Sequence, residues 1–436
     1  MFNKYFAICS AVFALGTADL SAELAVHDGE RVVFLGDSIT EQRLYTTYIE
    51  AYVLTRHPDW KLTFRNVGWG GDTSWLRQRA HPDEGQLFAA KEADQQKMVE
   101  NAVGRGLDRD VLPLKPTLVT VKFGMNDHSY QPFRADIFGA YVRSQAQINK
   151  VLGAHGARVA FLTPQPIEER RADPDKDVRN QSLRKFSDGL KEMAVKGQAM
   201  FVDQFDPYLG IMLAERAKDA KAFIGGGDAV HPGPAGQTLM AWAVLKGLGA
   251  SAEVSSATVD VAKKSIAGQN ADLNNLTVAG GTVGFDRLDK ALPLPIDQRA
   301  EPALKLAPVL DELSRYELRI TGLAAGQYEV SIDGETALKT DADSLAKGVN
   351  LSNTPGPITK QAREVLRLVF EKNDVYFNRW RGVQLYSFPG WAQTQDAEAR
   401  RTVELQRLDN EVANLEARIN EARKPKSHHF EIKSAP

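Results

Sequence analysis

Hydrophobic and polar positions fall into two patterns along the chain, and the change comes near residue 250. Before it, short apolar runs at 31–35, 62–66, 118–122, 158–162 and 200–202 read as strands. Stretches of helical periodicity at 47–54, 84–103, 134–153, 176–196 and 234–248 separate them. Strands alternating with helices predict a parallel sheet covered on both faces, an α/β three-layer arrangement. In such sheets ligands sit beyond the carboxyl ends of the strands. The Gly-rich and polar punctuation of this chain falls there: Gly36-Asp37-Ser38, Gly68 with Gly70-Gly71, Gly124-Met125-Asn126-Asp127 and Thr163-Pro164.

After residue 250 the period shortens to two. Residues 254–261, 275–285, 316–320 and 327–333 alternate apolar and polar positions between turn residues, which predicts a small antiparallel β region over 251–345. Residues 346–436 read as a loop followed by C-terminal helices at 359–372 and about 394–423. In the last helix Leu405, Leu408, Val412, Leu415 and Ile419 form a seam of barely two heptads, better suited to packing on its own protein than to a coiled coil. The long segment 74–117 has room to shape a lid or cleft wall.

The first residues follow a different logic. A basic start, the apolar run 5–16 and small residues at Ala18 and Ala22 predict a secretory signal peptide over 1–22, cleaved after one of those alanines. The expected location is therefore outside the cytoplasm, in the periplasm or the medium. The single cysteine, Cys9, lies in this leader, so the remainder, with its catalytic domain expected over 25–250, has no thiol for a disulfide or a zinc site. The chain has a formal net charge of −2, which removes a global electrostatic argument for nucleic acid or anionic membrane. No later segment is apolar enough to predict membrane insertion after leader cleavage. Oligomeric state is not encoded in any of these patterns.

Serine at the end of a strand and the start of a helix can act as a nucleophile if a base reaches it. Ser38 stands at such a point. Asp228-Ala229-Val230-His231 supplies an acid and an imidazole three apart, so that the carboxylate can hold one ring nitrogen while the other faces a serine. Donors for a developing oxyanion are also in place: the N–H of Ser38, the unobstructed N–H of Gly71, and the side-chain amide of Asn126. Each fragment alone is ordinary turn or capping chemistry. Their order, each after the expected element, argues for acyl transfer.

With these residues in view, the chain resembles the SGNH (GDSL-type) hydrolases over about residues 30–248. The motifs are Gly36-Asp37-Ser38-Ile39-Thr40, Asn66 to Thr73, Gly124-Met125-Asn126-Asp127 and Asp228-Ala229-Val230-His231-Pro232. The resemblance implies a flavodoxin-like α/β/α sandwich. It further implies Ser38 as nucleophile, His231 as base, Asp228 as its orienting acid, and an oxyanion hole of Ser38, Gly71 and Asn126, with no cofactor and no metal. Export and the aromatic neighbours Trp69, His128 and Tyr130 make removal of O-acetyl groups from a polysaccharide or other glycan the expected activity. The loop Gly348-Val349-Asn350 is read first as a connection between two elements, with sugar contacts through Asn350 as the alternative. A lipase-like or short-chain acyl esterase is the alternative enzyme, and a non-catalytic glycan-binding protein the alternative of another class.

Overall fold

The computed structural model describes residues 23–170 and 173–435. The expected leader over 1–22, with Cys9, lies outside the described residues.

Five strands, β1 (Arg31–Gly36), β2 (Thr63–Asn66), β3 (Leu118–Lys122), β4 (Arg158–Leu162) and β5 (Met200–Val202), form one sheet in the order β2-β1-β3-β4-β5. All four pairings are parallel. The parallel sheet is the one anticipated from the alternation of elements, and its order is the flavodoxin-like one that the resemblance implied. Successive side chains leave a strand on opposite faces. In β1, Val32 and Phe34 accordingly enter one core while Val33 and Leu35 enter the other. The strand order reverses between β1 and β3, so a crevice opens at their carboxyl ends. Ser38 follows β1 and Asn126 follows β3.

The helices run close to their predicted bounds: Leu44–Arg56, Ala135–Ala154, Val178–Lys196 and Pro234–Gly247. The expected helix over 84–103 is two helices, Glu84–Ala89 and Glu92–Asp110, the second opened by Asp and Glu in its first turn. Phe205–Lys218 is a further helix that the pattern did not announce.

Beyond residue 250 two sheets pack on the sandwich. The strands are β6 (Glu253–Asp260), β7 (Ser265–Gln269), β8 (Ala271–Ala279), β9 (Thr282–Asp289), β10 (Arg315–Thr321), β11 (Gln327–Ile332), β12 (Glu335–Asp341), β13 (Val349–Asn350) and β14 (Ser427–Ser434). One sheet runs β13-β10-β6-β7 and the other β12-β11-β14-β9-β8. Two expectations are corrected here. The region is not wholly antiparallel, because β10 pairs with β6 in parallel. The tail is not only loop and helices, because β14 enters the middle of the second sheet, between β11 and β9. Val254, Phe285, Leu318 and Phe430 from these sheets share one continuous core with Val32 and Ile49 of the sandwich.

The helix Pro357–Phe377 lies against Leu44–Arg56. There buried Lys372 donates to Glu50 at 2.6 Å, and Asn373 reaches Thr47 and Glu50 at 2.9 and 3.0 Å. The helix then widens into a π-type turn, Asn378–Gln384, whose Trp380 is 1 % exposed in the sandwich core. In Gln395–Ala422 the seam residues Leu408, Val412, Leu415 and Ile419 are buried within the same molecule, as their short run predicts.

Candidate active site

β1 delivers the chain to a crowded edge. A Cβ on Gly36 would stand 2.2 Å from Thr40 Oγ1 and 2.7 Å from the Lys122 carbonyl, so only glycine fits. Asp37 follows, fully buried, and its carboxylate accepts from the Ile39 N–H at 3.0 Å, capping the short helix Ser38–Glu41. Lys122, the last residue of β3 and also fully buried, lies 3.6 Å from the Asp37 carboxylate. Burial pulls the Lys122 ammonium down, and Asp37 and Asp127 push it back up. The serine thus rests on a capped turn over a buried ion pair, and its side chain is only half-buried.

Ser38 Oγ stands 2.9 Å from His231 Nε2. His231 Nδ1 is 3.0 and 3.2 Å from the two oxygens of Asp228. A carboxylate at Nδ1 fixes the proton there, which leaves the Nε2 lone pair for the serine hydroxyl. Asp228 Oδ1 also accepts from the Val230 and His231 backbone N–H groups at 2.8 and 2.7 Å. Partial burial pushes the Asp228 carboxyl up, but these N–H donors and the imidazole outweigh it and hold the group below the ordinary carboxylate range. The loop itself is latched from beneath. Glu168, 4 % exposed, accepts from Ile224 and Gly225 N–H at 2.7 and 2.8 Å, and Gln165 donates to the Val230 carbonyl at 2.9 Å. Pro234 then opens the next helix, where its missing N–H costs nothing.

The Gly70-Gly71 pair passes beside the serine: a Cβ on Gly70 would lie 4.0 Å from Ser38 Cβ. Gly71 has φ +74°, a left-handed conformation that keeps a side chain away from the approach to its N–H. The next residue, Asp72, is buried and bound by Arg79, which also holds Asp110 at 3.1 Å and the Val67 carbonyl. On the other side, Asn126 is 8 % exposed, its Nδ2 donating to the Asp72 carbonyl at 2.9 Å. The Tyr130 hydroxyl donates to Asn126 Oδ1 at 3.1 Å. Both contacts orient the amide the same way, and Nδ2 has a second hydrogen to offer. Asp127 ties this turn down, accepting from Ser74 and Gly124 N–H at 2.8 and 2.9 Å.

The structure brings Ser38, Gly71, Asn126, Asp228 and His231 to one edge. It does not leave all three expected substrate contacts open. Trp69 is half-buried, with the Arg381 guanidinium 3.8 Å from its ring centre and Trp380 edge-on at 5.9 Å. His128 is 2 % exposed, packed on Phe186 and near the Gly124 carbonyl, and burial lowers its pKa to about 4. Tyr130 alone is exposed, at 41 %. Asn350 is absorbed by structure: it holds Tyr316 N–H, Ser352 N–H and the Ser314 carbonyl at 3.0–3.1 Å. Sequence reasoning missed Glu168 and Lys122. A charge ending the buried run Leu118–Lys122 was the one available signal for Lys122.

A flavodoxin-like sandwich with a Ser–His–Asp line at the carboxyl edge of its central strands is the architecture of an SGNH-type hydrolase. Residues 34–239 match the family model of the GDSL-like lipase/acylhydrolases, and that part of the chain is a domain of this esterase family. No curated protein matches the chain. Among solved structures, a gut microbial diltiazem-metabolizing enzyme is 24% identical, with 94% of this chain and 98% of that one covered and a TM-score of 0.77. The likeness shows that the whole architecture, sheets and C-terminal helices included, recurs as a fold. An acetylxylan esterase from Geobacillus stearothermophilus matches over 52% of this chain and 97% of its own, at 20% identity and a TM-score of 0.39. An alpha/beta hydrolase enzyme from the metagenome of Lake Arreo, Spain, matches over 52% and 98%, at 21% and 0.39.

Proposed function

We propose that the chain is an exported serine ester hydrolase that removes O-acetyl groups from a glycan. The observation that carries this reading is the unbroken hydrogen-bonded line from Ser38 Oγ through the imidazole of His231 to the Asp228 carboxylate. Ser38 Oγ attacks the ester carbonyl while its proton passes to His231 Nε2. The carbonyl oxygen becomes an oxyanion, met by the N–H groups of Ser38 and Gly71 and by the free hydrogen of Asn126 Nδ2. His231 then gives the proton to the sugar oxygen as its bond to the acyl carbon breaks, which leaves an acetyl-serine. Water, deprotonated by the same nitrogen, attacks the acetyl carbon, and His231 returns that proton to Ser38 Oγ as the acyl–oxygen bond breaks and acetate leaves.

The acetyl assignment draws on what surrounds the serine. Gly70, Gly71, Asn126, Tyr130 and His231 present bare backbone or polar groups, which suits a small acyl group on a hydroxyl-rich carrier. A leader peptide would put the enzyme where such polymers are found. The test is direct. Ser38→Ala should abolish acetate release from acetylated glycans and hydrolysis of 4-nitrophenyl acetate, with the melting temperature unchanged. A variant with near-normal turnover would remove the mechanism. In an acyl-length series, faster cleavage of octanoyl than of acetyl esters would place the lipase-like alternative first.

A further inference from the structure

The Gly70-Gly71 pair has no side chain of its own with which to hold a position, yet the proposed site needs the Gly71 N–H aimed at one point beside Ser38. A peptide flanked by two glycines is among the freest to rotate. Its neighbours must therefore fix it. On the C-terminal side this is done by Asp72 under Arg79 and by Arg77 Nε, which donates to the Gly71 carbonyl at 2.6 Å. On the N-terminal side the Trp69 N–H donates to the Gly36 carbonyl at 2.9 Å and the Asp72 N–H closes the turn on the Trp69 carbonyl at 3.0 Å, while the Trp69 side chain is held from far along the chain.

Arg381, in the turn Asn378–Gln384, touches both halves of the site at once. Its guanidinium lies 3.8 Å from the centre of the Trp69 ring, and Trp69 is the residue before Gly70. Its Nε is 3.5 Å from Glu41 Oε1, and Glu41 is the last residue of the helix that Ser38 begins. The other oxygen of Glu41 stands 2.7 Å from where a Cβ on Gly70 would be. Trp380, the preceding residue, meets the edge of Trp69 at 5.9 Å. Arg381, Trp69, Gly70 and Glu41 thus lie together where the glycine pair passes the helix that Ser38 begins.

Resting on the reading of the site given above, we infer that Arg381 is a positioning residue of the ester hydrolase, setting the Gly70-Gly71 peptide against the Ser38 helix. Two physical effects combine. The planar guanidinium stacks on Trp69 and stops the loop from lifting, which a flexible ammonium would do less well. Its charge also offsets Glu41, whose carboxylate would otherwise face the negative charge that develops on the substrate oxygen. The C-terminal helical region on this account is a wall of the reaction site.

The experiment is steady-state kinetics with 4-nitrophenyl acetate on the full chain and on Arg381→Lys, Arg381→Gln, Glu41→Gln and the Arg381→Gln/Glu41→Gln pair. Arg381→Gln should lower kcat by about 10- to 100-fold, with KM changed less than about twofold, because the lost effect belongs to the transition state. Arg381→Lys should lose less, about 3- to 10-fold, since it keeps the charge but not the stacked plane. The paired variant should be faster than Arg381→Gln alone, as it removes the uncompensated carboxylate. A merely structural role would lower the melting temperature and leave kcat of the folded fraction intact, and that outcome overturns the inference. So does a rise in KM with kcat unchanged, which would make Arg381 a substrate contact. If Arg381→Gln does not fold, the Lys variant decides by the same split. Ser38→Ala and Asn126→Ala are measured in the same series. If those two remain active, the reading of the site falls; if they are impaired while the Arg381 variants match the parent, this inference alone falls.

Discussion

At the scale of single residues, the turn after β3 repays close attention. Ser129 and Tyr130 both have positive φ, 55° and 56°, and a tyrosine in that conformation is strained unless its surroundings hold it. What the strain achieves is the Tyr130 hydroxyl on Asn126 Oδ1. Asn126→Ala is expected to lower kcat by about 10²- to 10³-fold with little change in KM, as for a lost oxyanion donor. Tyr130→Phe should lower kcat by a smaller factor, and should have no further effect in the Asn126→Ala background. An equal effect in both backgrounds would return Tyr130 to the substrate-binding role expected from the sequence. The same turn carries a pH signature. Burial pushes the Asp127 carboxyl up to about 6 from an ordinary 3.8. Between those values the folded protein holds a proton that the unfolded chain has lost, so this group subtracts stability as pH rises through that window. The melting temperature of the parent should therefore gain on that of Asp127→Asn when pH falls from about 7 to about 5. Ser38, Gly71 and Asn126 were legible because they follow parallel strands whose ends the fold class alone gathers together, whereas the Asp228–His231 turn, between the helices Phe205–Lys218 and Pro234–Gly247, was legible only through its acid and imidazole three apart. The coverings of Trp69 and His128, Arg381 and Phe186, come from elements whose packing no local pattern records.

Elements were legible in proportion to how purely one period governed them. The buried parallel strands stood out as unbroken apolar runs, and the predicted run at 275–285 contained a real alternation. What it hid was a turn: Gly280 and Gly281 both have positive φ and join β8 to β9 as a hairpin. β14 was missed for another reason. Its buried positions are His428, Phe430 and Ile432, and a histidine at an inward position, with lysines and a proline just before, disguises the two-residue period. In Pro357–Phe377 the apolar face of Ile358, Ala362, Val365 and Val369 shares a core with Ile49 and Tyr52 of Leu44–Arg56, but apolar spacing names no partner, and the mark of this contact is the buried pair of Lys372 and Glu50. Their side chains are 1 % and 4 % exposed. Burial raises the Glu50 carboxyl and lowers the Lys372 ammonium, each opposed by the other. Lys372→Met is expected to cost about 3–5 kcal/mol by stranding a buried carboxylate, and Glu50→Gln with Lys372→Met should regain much of it. Chemical denaturation of the three proteins checks this; a loss under about 1 kcal/mol would mean that water reaches Glu50.

At the scale of the whole molecule, the division into a catalytic half and a second half suggested by the patterns is one of sequence more than of packing. The sandwich core and the two later sheets are continuous, and the far helices supply Lys372 to one buried site and Trp380 to another. Residues 23–250 expressed alone are expected to lack a cooperative thermal transition, where the longer chain has one. A sharp melt of that fragment by calorimetry would show the sandwich to be self-sufficient. β14 takes the point further. It is the central strand of its sheet, yet it is made after every strand that flanks it. Until synthesis reaches Ser434, β9 and β11 each have an edge with no neighbour, and such edges invite pairing with other chains. The emerging polypeptide must either keep those strands apart or be shielded while the long helices are still being added. A ribosome halted near residue 425 would hold a chain complete in every proposed reactive group and still without its middle strand, open along two edges to the next copy it meets.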